Sequence, residues 1–218
     1  MQKKYFGDVT DFYKFFFLKN IVGEYSLGIN WCLTKNDKSN DGKNKVRNKP
    51  ELKKFDNELY DIMLKRNLCK IQSEYFTKNT KFYGEKHEKF HMEYLYEISA
   101  FYELRNQDII FFDPDTGIEM PSKKLSERYK YISYRILSKY WNENKTLIIF
   151  QHKDHQIKTL EDKKGKIIEC LKCNKNDILM VNSKKVNYIC VINKKHTELK
   201  NSIREFCEKY IKLGYDII

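Results

Sequence analysis

Short continuous apolar runs alternate along this chain with longer segments in which apolar residues recur at the spacing of a helix. Runs of about four to eight apolar residues are typical of buried strands, whereas apolar positions about 3.6 residues apart form one face of a helix. The pattern predicts strands at residues 26–34, 80–84, 108–112, 146–150, 177–181 and 186–192. It predicts helices at residues 10–22, 51–66, 87–104, 124–141, 156–172 and 196–213.

The predicted strands and helices alternate, which favours an α/β fold whose sheet is mostly parallel and covered by helices on both faces. The last two strands are separated only by the polar turn at residues 182–185, so we expect them to form an antiparallel hairpin. The sequence contains no evident linker. We therefore predict a single α/β domain over residues 1–218, a three-layer sandwich with a mostly parallel sheet and a C-terminal antiparallel hairpin.

One predicted strand leads directly into a cluster of carboxylates. Residues 109–112 are apolar, and a proline and a glycine shape the acidic turn that follows them. Ligands bind at the carboxyl ends of parallel strands, and crowded carboxylates are tolerated chiefly where a metal, a proton or a substrate amine uses them. The alternative is an exposed acidic turn. The candidate catalytic residues at the strand ends are Asp113, Asp115, Glu119 and, after strand 146–150, His152.

The chain carries a large excess of positive charge, with 42 Lys and Arg against 30 Asp and Glu and a formal net charge of +12. Such an excess attracts polyanions, of which nucleic acid is the commonest. The alternative is compositional drift, since lysine and asparagine are abundant throughout. Arginine, which contacts base edges with two hydrogen bonds, is the rarer cation here. The composition predicts RNA or DNA as a partner, held through its phosphate groups.

The cysteines and the absence of long apolar runs indicate a cellular compartment. The chain has six cysteines, and its first residues, Met-Gln-Lys-Lys, lack the shape of a signal peptide. No apolar run approaches the roughly 20 residues of a membrane span. We therefore expect reduced thiols in a cytoplasmic protein that does not enter the membrane.

Two short motifs offer metal-binding alternatives. Cys170 and Cys173 form one CxxC pair that would bind zinc with His152 or His155, although no second pair stands at zinc-finger spacing. His87 and His91 match the H-E-x-x-H template of metalloproteases, a motif that also recurs by chance.

Two segments resemble parts of a known enzyme family. Residues 7–14, Gly-Asp-Val-Thr-Asp-Phe-Tyr-Lys, are similar to the opening helix of bacterial ribosomal-RNA adenine-N6 methyltransferases, which carry Gly-Asn-His-Ala-Asp-x-x-Lys there. Residues 113–119, Asp-Pro-Asp-Thr-Gly-Ile-Glu, resemble the Asp-Pro-Pro-Tyr-Glu loop that follows their fourth strand. The resemblance implies a Rossmann-like methyltransferase fold, in which one antiparallel strand accompanies an otherwise parallel sheet.

Two further groups share this layout. The three-Cys-motif partner proteins are similar in their general organisation, and a widespread bacterial family of obscure function, which opens Tyr-x-Gly-Asp-x-x-Asp-Phe-x-Lys, is more similar to residues 5–14. This chain departs from the methyltransferases at two places. No glycine follows the first strand within residues 31–37, and an aspartate and a threonine at positions 115 and 116 replace the second proline and the aromatic residue.

The resemblance implies S-adenosylmethionine as methyl donor and nucleic acid as acceptor. Lys14 would pair with the carboxylate of the cofactor, and Asp113 would orient the nucleophilic nitrogen of the target base. The cofactor already carries the electrophile, so the protein mainly positions the reactants. The candidate cofactor-binding residues are Asp8, Asp11, Lys14 and, in the first strand, Asn30.

A metal-dependent nuclease or phosphodiesterase is the competing hypothesis. The carboxylates that would converge on Mg²⁺ or Mn²⁺, which prefer oxygen ligands, are Asp8, Asp11, Asp113, Asp115 and Glu119. His152 would act as a general base or as a further ligand. A third hypothesis is a non-catalytic nucleic-acid-binding module that retains the fold.

Both enzymatic hypotheses place residues 8–14 and 113–119 in one cleft at the carboxyl ends of the strands. Both also predict that the Asp113 carboxylate points into this cleft. On that basis we expect Asp113→Ala to abolish activity and to leave the fold intact or slightly stabilised, because removing one of several like charges relieves repulsion.

Overall fold

A computed structural model of the protein describes residues 6–32, 34, 45–66, 70–76, 79–84, 93–119, 125–153 and 157–218. Its strands are β1 (Leu27–Asn30), β2 (Thr80–Tyr83), β3 (Ile109–Phe112), β4 (Gly117–Ile118), β5 (Tyr131–Ile132), β6 (Thr146–His152), β7 (Ile178–Asn182), β8 (Val186–Val191) and β9 (Asp216–Ile217). Its α-helices are α1 (Val9–Ile21), α2 (Asn57–Leu64), α3 (Glu93–Leu104), α4 (Tyr134–Asn142), α5 (Ile157–Leu171) and α6 (Thr197–Lys209).

Seven strands form one mixed sheet in the order β2-β1-β3-β6-β8-β7-β9. β1 pairs in parallel with both β2 and β3, and β3 pairs in parallel with β6. β8 is antiparallel to both β6 and β7, so β7 has the same direction as the parallel strands. The predicted α/β class and the mostly parallel sheet are confirmed.

Helices cover both faces of this sheet, and the side chains of each central strand alternate between the two layers. On β3, Phe111 packs into a buried apolar cluster with residues of α1 and α6. Its neighbours Ile110 and Phe112 pack on the other face with residues of α3, α4 and α5. Because both faces are covered, such strands are apolar throughout rather than alternating with polar residues.

Two predicted helices are each interrupted by a residue that caps a later helix. Segment 51–66 contains a 3₁₀ helix at Pro50–Lys54, and α2 then begins after Asp56, whose carboxylate accepts a 2.8 Å hydrogen bond from Leu59 N. Segment 124–141 contains a 3₁₀ helix, then β5, and Ser133 caps α4. An N-cap side chain satisfies a backbone N–H that would otherwise lack a partner, so it starts a new helix inside an apparently continuous pattern.

The C-terminal end of the chain differs from its prediction as well. Helix α6 ends at Lys209, a short 3₁₀ helix follows, and β9 adds an unpredicted antiparallel edge strand beside β7. Tyr215, just before β9, is fully buried, and its hydroxyl donates a 2.6 Å hydrogen bond to Tyr13 O in α1. Throughout the described ranges, no helix is both long enough and apolar enough to cross a membrane.

We expect Tyr215→Phe to lower the free energy of unfolding by roughly 1 kcal/mol, because it removes one buried hydrogen bond and preserves the packed ring. Urea denaturation of both proteins measures the difference. Tyr102→Phe is the matched control. Tyr102 is 57% exposed, so the loss of its hydroxyl should leave the free energy of unfolding nearly unchanged. Equal effects of the two substitutions would contradict a structural role for the hydrogen bond.

Candidate functional site

The direction in which successive strands are added to the sheet reverses between β1 and β3. The chain passes from β1 to β2 on one side of β1 and later returns to place β3 on its other side. Crevices at such a topological switch point are the usual ligand sites of open α/β sheets. Asn30 ends β1, Asp113 follows β3, and Asp113 N donates a 2.9 Å hydrogen bond to Asn30 O. These residues define the candidate site.

The first turn of α1 lies at this site and is fixed by two carboxylates. Asp8 is the N-cap and accepts a 2.9 Å hydrogen bond from Asp11 N. Asp11 in turn accepts a 3.1 Å bond from Gly7 N through Oδ2. Asp8 thereby satisfies one of the backbone donors that a helix start leaves open, and Asp11 holds the residue just before the cap. Burial and the neighbouring Asp11 raise the pKa of Asp8 to about 7.

Lys14 joins this turn to the acidic loop. Its Nζ lies 2.9 Å from Asp11 Oδ1 and 2.8 Å from Asp113 Oδ2, and the side chains of all three residues are buried. Burial opposes the charge on Lys14, but the two carboxylates outweigh burial and raise the pKa of Lys14 above its ordinary value. Burial raises the pKa of Asp113, and the Lys14 ammonium counteracts that effect.

This ion pair corrects the expected orientation of Asp113 and bears on the role expected of Lys14. Asp113 was expected to point into an open cleft, but its side chain is only 1% exposed and contacts Lys14. Lys14 was expected to bind the carboxylate of a cofactor, but its ammonium group is engaged by two carboxylates of the protein itself. A charge moved out of water requires close partners, so each of these groups depends on the other.

Asn30 turns the chain out of β1. Its Oδ1 accepts hydrogen bonds from Cys32 N at 3.1 Å and from Tyr96 Oη at 3.0 Å. The bond to Cys32 N forms an Asx turn, and Cys32 adopts a positive φ of 44°. A non-glycine residue thus takes the left-handed conformation in the turn after the first strand, where the resemblance led us to look for glycine.

The amide nitrogen of Asn30 is left with a hydrogen to donate. Two donors occupy Oδ1, so the orientation of the amide group is determined. Asn30 is fully buried, and within the described residues its Nδ2 has no hydrogen-bond partner. Leaving a buried donor unsatisfied costs about 1–3 kcal/mol, so this group marks a place where a ligand acceptor would be stabilising.

Gln151 holds the acidic loop against the end of β6. Its Oε1 accepts a 3.2 Å hydrogen bond from Ile118 N, and its Nε2 donates to Thr116 O at 3.2 Å. Gly117 has a φ of 136°, and a Cβ there would lie 2.1 Å from Gln151 Oε1. Glycine therefore permits both the backbone conformation and the close approach of the glutamine.

His152 and Asp115 lie on the outer side of this loop. His152 ends β6, reaches the surface, and packs edge-on against Phe150 with ring centroids 5.3 Å apart. Partial burial lowers the pKa of His152, and the nearby Asp115 carboxylate acts in the opposite direction. The backbone N–H of His152 donates a 3.1 Å hydrogen bond to Thr116 O, so strand and loop are joined.

Glu119 has a different environment from the other predicted catalytic residues. Its Oε1 accepts a 2.7 Å hydrogen bond from Tyr134 N, the first residue of α4. A carboxylate at a helix N-terminus stabilises the helix through its dipole and its open N–H groups. This contact gives Glu119 a structural role at the start of α4.

The structure thus brings Asp8, Asp11, Lys14, Asn30 and Asp113 together at one edge of the sheet. Asp115 and His152 adjoin this group across the acidic loop. Residues 8–14 and 113–119 lie on the same side of the sheet, as predicted.

The metal hypotheses gain no geometric support. Among the described residues, no three His, Cys, Asp or Glu side chains are placed to hold a metal ion. Cys170 and Cys173 are free thiols. His87, His91 and His155 lie outside the described residues.

Two residues of the site were missed by the sequence analysis. Gln151 directly follows the predicted strand 146–150, and a polar residue at a strand's carboxyl end could have been predicted to lie at the site. Tyr96 lies within a helical pattern rich in aromatic residues, and nothing in the sequence distinguishes it from a core tyrosine.

Comparisons of this chain with protein-family models, with curated proteins and with solved structures gave no match.

We expect Asp113→Ala to lower the free energy of unfolding by roughly 3 kcal/mol, because buried Lys14 would lose one of its two carboxylate partners. This reverses the expectation drawn from sequence. Asp115→Ala, two residues along the same loop, should change stability by less than about 1 kcal/mol because Asp115 is partly exposed. The triple variant Asp11→Asn/Lys14→Met/Asp113→Leu, which removes all three buried charges together, should recover part of the loss. Urea denaturation tests all three, and wild-type stability of Asp113→Ala would refute the interpretation.

The raised pKa of Asp8 predicts a pH-dependent loss of stability. A carboxyl group that titrates near 7 when folded and near 3.8 when unfolded contributes stability below pH 3.8 that is lost as the pH rises to about 7. Asp8→Asn keeps an N-cap acceptor and removes the titration. Relative to wild type, the variant should therefore gain on the order of 1 kcal/mol between pH 4.5 and 7.5, after allowance for solvent screening. Asp56→Asn, at the N-cap of α2, controls for the exchange itself, and an equal pH effect there would contradict the assignment.

Proposed function

We propose that this protein is a methyltransferase-like enzyme that binds S-adenosylmethionine at the carboxyl edge of β1 and β3 and acts on nucleic acid. The observation that carries the proposal is the strand order, in which antiparallel β8 lies between β6 and β7, two strands that run in the same direction as β1–β3. This arrangement agrees with the Rossmann-like methyltransferase fold that the sequence resemblance implies, and its switch point coincides with the residues that carry the resemblance.

The residues at the switch point suit an adenosyl ligand in one respect and depart from the family in another. The buried Asn30 amide offers a donor to a ribose, adenine or carboxylate acceptor. Lys14 is engaged by Asp11 and Asp113, so in our proposal it is a positioning residue. Together with Asp113 it fixes the first turn of α1 against the acidic loop.

Proton transfer would fall to the outer side of the loop. S-adenosylmethionine supplies an electrophilic methyl group, so the protein chiefly orients the acceptor and removes its proton. His152 has a lowered pKa and is neutral near pH 7, so its imidazole can accept the proton that an acceptor nitrogen loses when it is methylated. Asp115 would stabilise the resulting imidazolium.

We propose nucleic acid as the methyl acceptor because of the net charge of the chain, and not because of residues placed to read base edges. The net charge of +12 favours a phosphate-rich substrate. The alternative hypotheses, a metal-dependent nuclease and a non-catalytic binding module, differ from this proposal in the ligand that each requires.

S-adenosylhomocysteine, the product form of the donor, should bind the wild-type protein and raise its melting temperature, because a ligand that binds the native state stabilises it. Asn30→Ala should weaken that binding about tenfold in calorimetry, since one buried hydrogen bond is lost. Asn187→Ala is the matched control, a buried asparagine on β8 opposite Gln151 and outside the β1–β3 crevice.

Three outcomes are informative. Loss of affinity in Asn30→Ala alone supports the proposed site. The absence of any shift at millimolar ligand overturns the proposal, and stabilisation by Mn²⁺ instead would favour the nuclease. Equal losses in both variants would place the ligand elsewhere or indicate a general loss of structure.

A further inference from the structure

A second concave site lies beside the first turn of α1. Three cationic side chains and two apolar ones line it, together with one glycine, and we call it the basic pocket: Gly7, Lys45, Arg47, Met63, Leu64 and Arg66. None of these residues belongs to the group around Asn30 and Asp113.

Backbone contacts hold the walls of the basic pocket together. Lys45 forms an antiparallel bridge with Asp8, and Val46 N donates a 3.4 Å hydrogen bond to Gly7 O. On the opposite wall, Arg66 Nε donates a 2.9 Å bond to Phe6 O, which orients the guanidinium group. Gly7 has a φ of 87°, and a Cβ there would lie 2.9 Å from Met63 O, so only glycine lets the two walls approach.

The charges of the basic pocket are mostly of one sign. Within the described residues, neither Lys45 nor Arg47 makes an ion pair within 4 Å. Partial burial lowers the pKa of Lys45, and the neighbouring Arg66 adds to the effect, while Asp8 opposes it. Cations held close together repel one another, so an anion bound among them would relieve that repulsion.

We propose that the basic pocket binds a phosphate group of single-stranded nucleic acid. Lys45, Arg47 and Arg66 would contact the phosphate, and Arg66 and Arg47 present the planar donors that suit its oxygens. Met63 and Leu64 form an apolar wall, and the exposed Leu64 offers contact area for an adjoining sugar or base. A base can reach such a wall from a single strand more readily than from a stacked duplex.

The basic pocket is connected to the candidate site through the start of α1. Gly7, in the pocket wall, donates its N–H to Asp11, and Asp11 accepts from Lys14, which also contacts Asp113. A strand anchored by one phosphate in the pocket would therefore pass beside the site that we assign to methyl transfer. In this respect the inference rests on the proposed function, because it names how that substrate is held.

Fluorescence anisotropy with a labelled 12-nucleotide single strand, as RNA and as DNA, tests the inference without any methyl donor. Lys45→Gln/Arg47→Gln should weaken binding at least about tenfold and reduce the slope of log affinity against log salt by about 0.7, the value expected when a single strand loses the neutralisation of one phosphate. Lys194→Gln/Lys212→Gln makes the same change in net charge at two exposed lysines away from the pocket and should alter affinity by less than about twofold.

Each outcome supports or overturns the inference. Equal losses in the two double variants would show that charge acts without a pocket, and failure of the wild type to bind either strand would overturn the proposal. If the pocket double variant fails to fold, Arg47→Gln alone decides, since Arg47 is exposed. Strand binding that persists without binding of S-adenosylhomocysteine would refute the proposed function and leave the pocket assignment standing.

Discussion

The ion pairing of the buried Lys14 ammonium group is the interaction that fixes the packing of α1 on the sheet. This group neutralises carboxylates from two distant parts of the sequence, Asp11 in the first turn of α1 and Asp113 at the end of β3. Removing three charged groups from water is costly unless they meet with good geometry, so the contact fixes α1 against one end of the sheet. Asp8 and Asp11 hold the start of α1 by hydrogen bonds, and Gln151 holds the acidic loop by its bond from Ile118 N. These bonds determine which polar groups remain available at that edge of the sheet.

This arrangement separates two tasks that the sequence presents as one acidic cluster. The inner carboxylate, Asp113, is paired and buried, and it supports structure. The outer pair, Asp115 and His152, interacts electrostatically near the surface, and our proposal assigns the chemistry to it. Asn30, at the end of β1, has a buried amide nitrogen without a hydrogen-bond partner among the described residues. Chemistry at this edge would therefore use the loop's outer side, while its inner side maintains the geometry.

Most of the fold could be predicted from the sequence because apolar runs and helical spacing are local signals. The alternation of strands and helices gave the α/β class, and residues 109–112 and 146–150 are strands as expected. The helix starts after Asp56 and Ser133 were not predicted, because the apolar spacing continues across both residues. Whether an aspartate or a serine caps a new helix there depends on the tertiary structure. The meeting of residues 8–14 and 113–119 at the strand ends was also predicted, and the contact of Lys14 with Asp113 agrees with it. The internal pairing of the site was not predicted, because a contact between residues 14 and 113 has no signature in either segment.

The contact between Tyr215 and α1 bears on the order in which this chain folds. Phe15 of α1 packs against Trp31, close by in the sequence, whereas Phe17 packs against Tyr188, Phe206 and Tyr215 in the last part of the chain. The hydrogen bond from Tyr215 to Tyr13 spans 202 residues. Contacts of such long range close slowly, so the side of α1 that carries Phe17 is completed late in folding, after the side that carries Phe15. Until the C-terminal residues dock, that side of the helix is an apolar surface open to contact with other chains.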